Sequence, residues 1–129
     1  MKRIKSKSTK RLLVEGQVNG KAAHFLIDTG ASVGMMDYGQ RKKYGLQEGR
    51  KFGSPVVGAG GEMKNVFYCG TFVNIEEKVI PQFLLADIGG VVESIRHETG
   101  LEILGIISLP QMKMVGISID CNDNELILE

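Results

Sequence analysis

Tryptophan is absent from this chain, cysteine and proline are scarce, and long apolar runs are missing. Two cysteines, Cys69 and Cys121, in 129 residues are too few and too far apart for a zinc cluster or a disulfide framework, so reduced thiols are expected. The two histidines, His24 and His97, have no partner at ligand spacing, and no glycine loop has a phosphate-binding pattern; neither a metal nor a cofactor is expected. No apolar run approaches the roughly 20 residues a bilayer helix needs. The opening "MKRIKSKSTKR" has charges without a following apolar stretch, so no secretory signal is expected either, and the expected location is cytoplasmic.

What is present in excess is glycine, 17 residues against 3 prolines, which points to many tight turns. The length fits one domain with a single core. The net charge of +1 hides an asymmetry: six of the sixteen basic residues fall in the first eleven positions, leaving ten against fifteen acids and a net −5 beyond them. Residues 1–10 are therefore read as a basic, flexible arm and 11–129 as the domain. An arm of this kind suits contact with nucleic acid or an acidic partner, but a solvated, frayed terminus is the more ordinary outcome and is expected here.

Along the domain, "RLLVEGQV" and "KAAHFLI" read as two strands joined by Asn19-Gly20, a type I′ hairpin signal. "DYGQRKKYGL" reads as a short helix, with Asp37 as cap, Gln40 completing a capping box and Gly45 closing it. Residues 51–74 read as a long hairpin around the glycine-rich tip "GAGG", and "KVIPQFLLAD" as a further strand. "IGGVVESIRHETG" is open between a loop and a helical turn over Val92 to His97. "LEILGIISL" reads as a buried strand running into a short helix with Pro110 in its first turn, and "MVGISIDC" with "ELIL" as a closing hairpin. Seven or eight short strands and one or two short helices make a mainly β domain.

The stretch "HFLIDTGAS" carries the chemistry. A carboxylate directly after an apolar strand is costly to desolvate, so it lies at the exposed strand end or is held by specific hydrogen bonds. As a bare tripeptide, Asp28-Thr29-Gly30 arises by chance in about one chain in forty of this length. Its context is more specific: the apolar "FLI" precedes it, Ala31-Ser32 follow, a glycine-tipped hairpin lies some thirty residues on, and "ILG" lies near the C-terminal end.

This ordered set resembles the retropepsin-like aspartic proteases, the family of the retroviral proteases and their cellular and bacterial relatives, over about residues 11–128. The resemblance implies a small closed, barrel-like β lobe with one or two short helices, acting as a dimer. An aspartic peptidase needs two carboxylates sharing a proton, because two like charges about 3 Å apart cannot both ionise. This chain has one Asp-Thr-Gly. Asp87-Ile88-Gly89 comes too soon for a second lobe, lacks the threonine and reads as a strand-end turn. The second aspartate must then come from a second chain, and a homodimer with Asp28 from each subunit is expected.

By the same resemblance, Thr29 would hydrogen-bond across the dimer axis, Gly30 would allow close approach of the two loops, and Ala31 would leave the carboxylate without a supporting hydroxyl. Ser32 stands where retroviral enzymes commonly have an acid that holds substrate backbone. Gly58, Ala59, Gly60 and Gly61 would form a flap closing over bound peptide. Ile103-Leu104-Gly105 would support the catalytic loop from beneath, with Ile106 and Ile107 replacing the usual polar pair. The expected activity is cleavage of extended polypeptide; the alternative from another class is a catalytically silent dimeric peptide-binding or structural module of the same fold.

Overall fold

The computed structural model of the chain describes residues 1–58, 61–63 and 65–129. Of the expected flap, Ala59 and Gly60 lie outside the described residues. Strands dominate, as the sequence implies, and no described helix is long and apolar enough to cross a membrane.

Strand β1 (Lys2–Lys5) is followed by the hairpin β2 (Leu13–Val18) and β3 (Lys21–Asp28). In β2, Glu15 and Gln17 face out while Leu13, Val14, Gly16 and Val18 are buried. The turn is the one expected, with Asn19 at φ 50° and Gly20 at φ 81°. Asn19 Nδ2 also donates to the carbonyls of Tyr44 and Gly45, at 2.8 and 2.9 Å, tying this hairpin to the next helix.

Strand β4 (Gly34–Asp37) leads through a 3₁₀ turn (Tyr38–Gln40) into the single-turn helix α1 (Arg41–Tyr44), closed by Gly45 in the left-handed conformation. Asp37 caps the turn as expected, but Gln40 makes no capping box: its amide donates to the Asp37 carboxylate and to the carbonyl of Ile103, each at 3.0 Å. Next come β5 (Glu48–Lys51), β6 (Val56–Gly58), β7 (Gly61–Met63), β8 (Phe67–Cys69), β9 (Val73–Ile75), β10 (Lys78–Ile80) and β11 (Phe83–Ala86). The long hairpin is seen in the β5–β8 and β6–β7 pairings. Expected strands are subdivided where the backbone turns left-handed: Gln82 at φ 69°, after Pro81, separates β10 from β11, and Asn65 at φ 56° precedes β8.

The ambiguous segment is a full helix, α2 (Gly89–Thr99), burying Val92 and Ile95 and capped by Gly100 at φ 81°. Strand β12 (Ile103–Ser108) then runs into α3 (Leu109–Val115). Ser108 and Gln111 form a reciprocal capping box, Pro110 lies in the first turn, and Gly116 closes the helix. The chain ends in β13 (Ile117–Asp120) and β14 (Glu125–Leu128).

Nine strands form one sheet in the order β10-β9-β2-β3-β12-β4-β11-β8-β5. It is open, which corrects the expectation of a closed barrel: β5 and β10 are its edges. The exposure of every β5 residue explains why closure would gain little, since that strand offers no apolar face to bury. Strand β12 lies between β3, to which it is parallel, and β4, to which it is antiparallel.

Both faces of the central strands are covered, and alternation sorts their side chains. Phe25, Ile27, Met36, Leu85 and Ile107 pack with Met112 of α3 and with the β13–β14 hairpin. Leu26, Met35, Leu84 and Ile103 pack with Val92 and Ile95 of α2. The N-terminal stretch departs from the frayed arm expected of it. Strand β1 adds to the edge of β14, and Arg3 donates to Asp120 and Glu125, at 2.9 Å each, so charge complementarity and an unpaired strand edge hold it.

Candidate active site

Asp28 is the last residue of β3, fixed on both sides: the ladder to β12 pairs it with Ser108, and Ile27 N donates to Leu12 O at 2.9 Å. The strand stops because the chain turns back on itself there. Ala31 N donates to the Asp28 carbonyl at 3.1 Å, and Gly30 N donates to the carboxylate Oδ1 at 3.0 Å. The carboxylate is therefore a half-buried acceptor oriented by its own turn, which meets the desolvation cost anticipated from the sequence. Thr29 and Ser32 are exposed, and Ala31 is half-buried.

No described Lys, Arg or His forms an ion pair with Asp28. Arg11 feels its charge at longer range, but that guanidinium is held chiefly by Glu98, with bonds of 3.0 and 3.2 Å. The same contact keeps the Glu98 carboxyl below the ordinary glutamate range.

Asp28 opens into a cleft of about 1530 Å³ on the α2 face of the sheet. Its lining includes Leu26, Asp28 and Ile106 from β3 and β12, Gly30 to Val33 from the turn, and Val56, Val57, Glu62 and Met63 from β6 and β7. Asp87, Ile88 and Val91, at the start of α2, complete the lining on another side. The structure thus brings Asp28, Gly30, Ala31 and Ser32 together with the β6–β7 hairpin; Gly58 and Gly61 pair with each other at its described end. Ile106 and Ile107 divide between the two faces, one lining the cleft and the other in the core against α3.

Gly105 sits where a side chain has no room, since a Cβ there would run into the carbonyl oxygen of Met35 on β4. The turn reading of Asp87 holds: its Oδ1 accepts from Gly89 N at 3.0 Å. His24 lies opposite Glu15 across β2 and β3, with Nε2 3.9 Å from the carboxylate.

Two features of the site escape sequence reasoning. Asp37 is buried and accepts from Gly39 N at 3.3 Å, Gln40 Nε2 at 3.0 Å and Ile88 N at 3.4 Å, so it pins one side of the cleft to the end of β4. Phe52 and Tyr68 form an edge-to-face pair with centroids 5.3 Å apart, and both line the cleft. The local signal was the capping pattern at Asp37, which its Gly39 and Gln40 donors fulfil; its Ile88 donor and the Phe52–Tyr68 pairing join residues farther apart in sequence. Cys69, also lining the cleft, has its thiol pushed up by burial. Outside the cleft lining, Asp120, Asp123 and Glu125 place carboxylate oxygens within 4.8 Å of one another, and Arg3 pairs with two of them, Asp120 and Glu125.

A family model described as aspartyl protease matches residues 14–106. Among solved structures, the chain is similar to EIAV protease complexed with the inhibitor HBY-793, at 19% identity over 91% of this chain and 99% of that one, with a TM-score of 0.64. It is similar to the retroviral protease-like domain of Ddi1 from Leishmania major, at 21% identity over 92% and 88%, with a TM-score of 0.60. A retropepsin-like aspartic protease from Rickettsia conorii matches at 18% identity over 98% and 88%, with a TM-score of 0.58. No curated protein matches the chain.

Proposed function

Because the chain belongs to the aspartyl protease family and has a retropepsin-like fold, we propose that it is an aspartic endopeptidase whose active site is completed by a second copy of itself. The observation that carries this reading is the Asp28 turn: a carboxylate oriented by Gly30 N at the mouth of an apolar cleft large enough for an extended peptide. One chain offers this arrangement once.

In the proposed dimer, Asp28 and Asp28 of the partner subunit share one proton. The ionised carboxylate takes a proton from water as the water oxygen bonds to the scissile carbonyl carbon. The protonated partner gives its proton to the carbonyl oxygen, forming a gem-diol. Collapse re-forms the carbonyl, breaks the C–N bond and delivers a proton to the departing nitrogen, leaving an acid and an amine. The β6–β7 hairpin serves as the flap, and an extended substrate lies beneath it with alternate side chains on apolar walls.

The test is incubation with a diverse peptide library from about pH 4 to 7, a range bracketing plausible dyad titration, with and without a hydroxyl-bearing transition-state mimic. Inhibitable cleavage by the native chain, absent from Asp28→Asn, is expected. Peptide binding without cleavage by the native chain selects the silent binding module.

A further inference from the structure

Every charged residue among the described residues lining the cleft is an acid, and three separate elements supply them: Asp28 from β3, Glu62 from β7 and Asp87 from the turn between β11 and α2. None of the three forms an ion pair with a described Lys, Arg or His. Of the nearby cations, Arg11 is engaged with Glu98, and Arg50, which does not itself line the cleft, lies over the ring of the cleft-lining Tyr68 at 5.0 Å. Only Asp28 is required for the chemistry above. At Asp87, Gly89 N occupies one oxygen, and Oδ2 has no hydrogen-bond partner among the described residues. A cleft with apolar walls and charge of one sign concentrates its field on whatever enters.

We propose that Glu62 and Asp87 are specificity-determining residues, selecting peptides that carry Lys or Arg beside the apolar residues seated in the cleft. The inference rests on the peptidase reading for its substrate class, and it assigns to these two acids a role that the catalytic step does not use. A basic side chain placed against either acid gains about three- to tenfold in kcat/KM, the range of partly exposed charge pairs, mainly through KM. An acidic side chain at the same place loses a similar factor.

The experiment uses the full chain and three peptides with one shared apolar centre, flanked by Lys, Gln or Glu. Cleavage is measured at low and high salt, and binding of the same labelled peptides to Asp28→Asn is followed by fluorescence anisotropy. The expected order is Lys, then Gln, then Glu, with ratios that shrink as salt rises. Asp87→Asn retains an acceptor for Gly89 N, and Glu62→Gln retains shape; each should move the Lys-to-Glu ratio toward one.

Equal rates for all three peptides, or a ratio that survives both substitutions, overturns the inference and leaves the peptidase reading standing. Lys-ranked binding with no cleavage by the native chain removes the peptidase reading and supports the charge preference. Absence of both binding and cleavage removes both.

Discussion

At Asp28 the residue's usefulness and its environment come from the same few bonds. The turn that ends β3 supplies Gly30 N to Oδ1 and ties Ala31 N to the Asp28 carbonyl, so the carboxylate is aimed by backbone rather than by a neighbouring cation. Asn fills the same space and can accept the same bond, but it cannot act as a base. Asp28→Asn should therefore abolish cleavage with the melting temperature and oligomeric state nearly unchanged; substantial residual activity in the purified variant would remove Asp28 from the mechanism. A second residue is constrained by space alone. A Cβ on Gly105 meets backbone of β4, which cannot swing aside as a flexible side chain would. Gly105→Ala should cost about 1–3 kcal/mol, the usual range for overpacking, read as a lower urea midpoint at unchanged slope. The Asp28 turn was legible in the sequence because every bond that shapes it lies within three residues. Asp37 was legible only as a cap: its donor at Ile88 N is 51 residues away, and nothing near either residue announces the other.

Among the elements, most of those defined by local patterns match their sequence signals, the exception being Gln40, whose amide bonds Asp37 and the Ile103 carbonyl in place of a capping box. Helix α3 has its Ser108–Gln111 box, its proline and its terminal glycine, and the β2–β3 hairpin has its Asn-Gly turn. Those defined by distant partners do not. Strand β1 exists because β14 presents an edge more than a hundred residues later, and α2 is a complete helix because Val92 and Ile95 find the Leu26 and Met35 face of the sheet. The β6–β7 hairpin lies between these cases: its pairing follows from the glycine-rich tip, but its relation to the cleft needs the fold. Val57 on β6 lines the cleft yet is 78% exposed. An apolar side chain left in water beside a binding site gains only when something covers it. Val57→Ala should thus leave thermal stability unchanged and raise KM for peptide by up to about fifteenfold, from the burial of two carbons at roughly 0.8 kcal/mol each. An unchanged KM would mean that this hairpin does not close on substrate.

For the whole molecule, the decisive property is that one chain holds half of the proposed dyad. The other acids of the cleft stand on other elements, Asp87 with one oxygen held by the turn at the start of α2 and Glu62 on the β6–β7 hairpin. Activity should accordingly fall on dilution below the dimer dissociation constant, as mass action requires. Dilution is ambiguous by itself, because dilute enzyme is also lost to surfaces. Refolding native chains with an excess of Asp28→Asn chains at constant total concentration removes that ambiguity. The substitution keeps the turn and the fold, so mixed dimers form at random, each with one carboxylate and no partner to share its proton. A native chain finds a native partner with a probability equal to the native fraction, so activity per native chain should fall in direct proportion to that fraction once exchange is complete. Activity per native chain that stays constant across mixing ratios would mean each chain carries a complete site. The search for an intramolecular partner of Asp28 would then begin with Asp87, the acid that shares its cleft from the neighbouring end of β11.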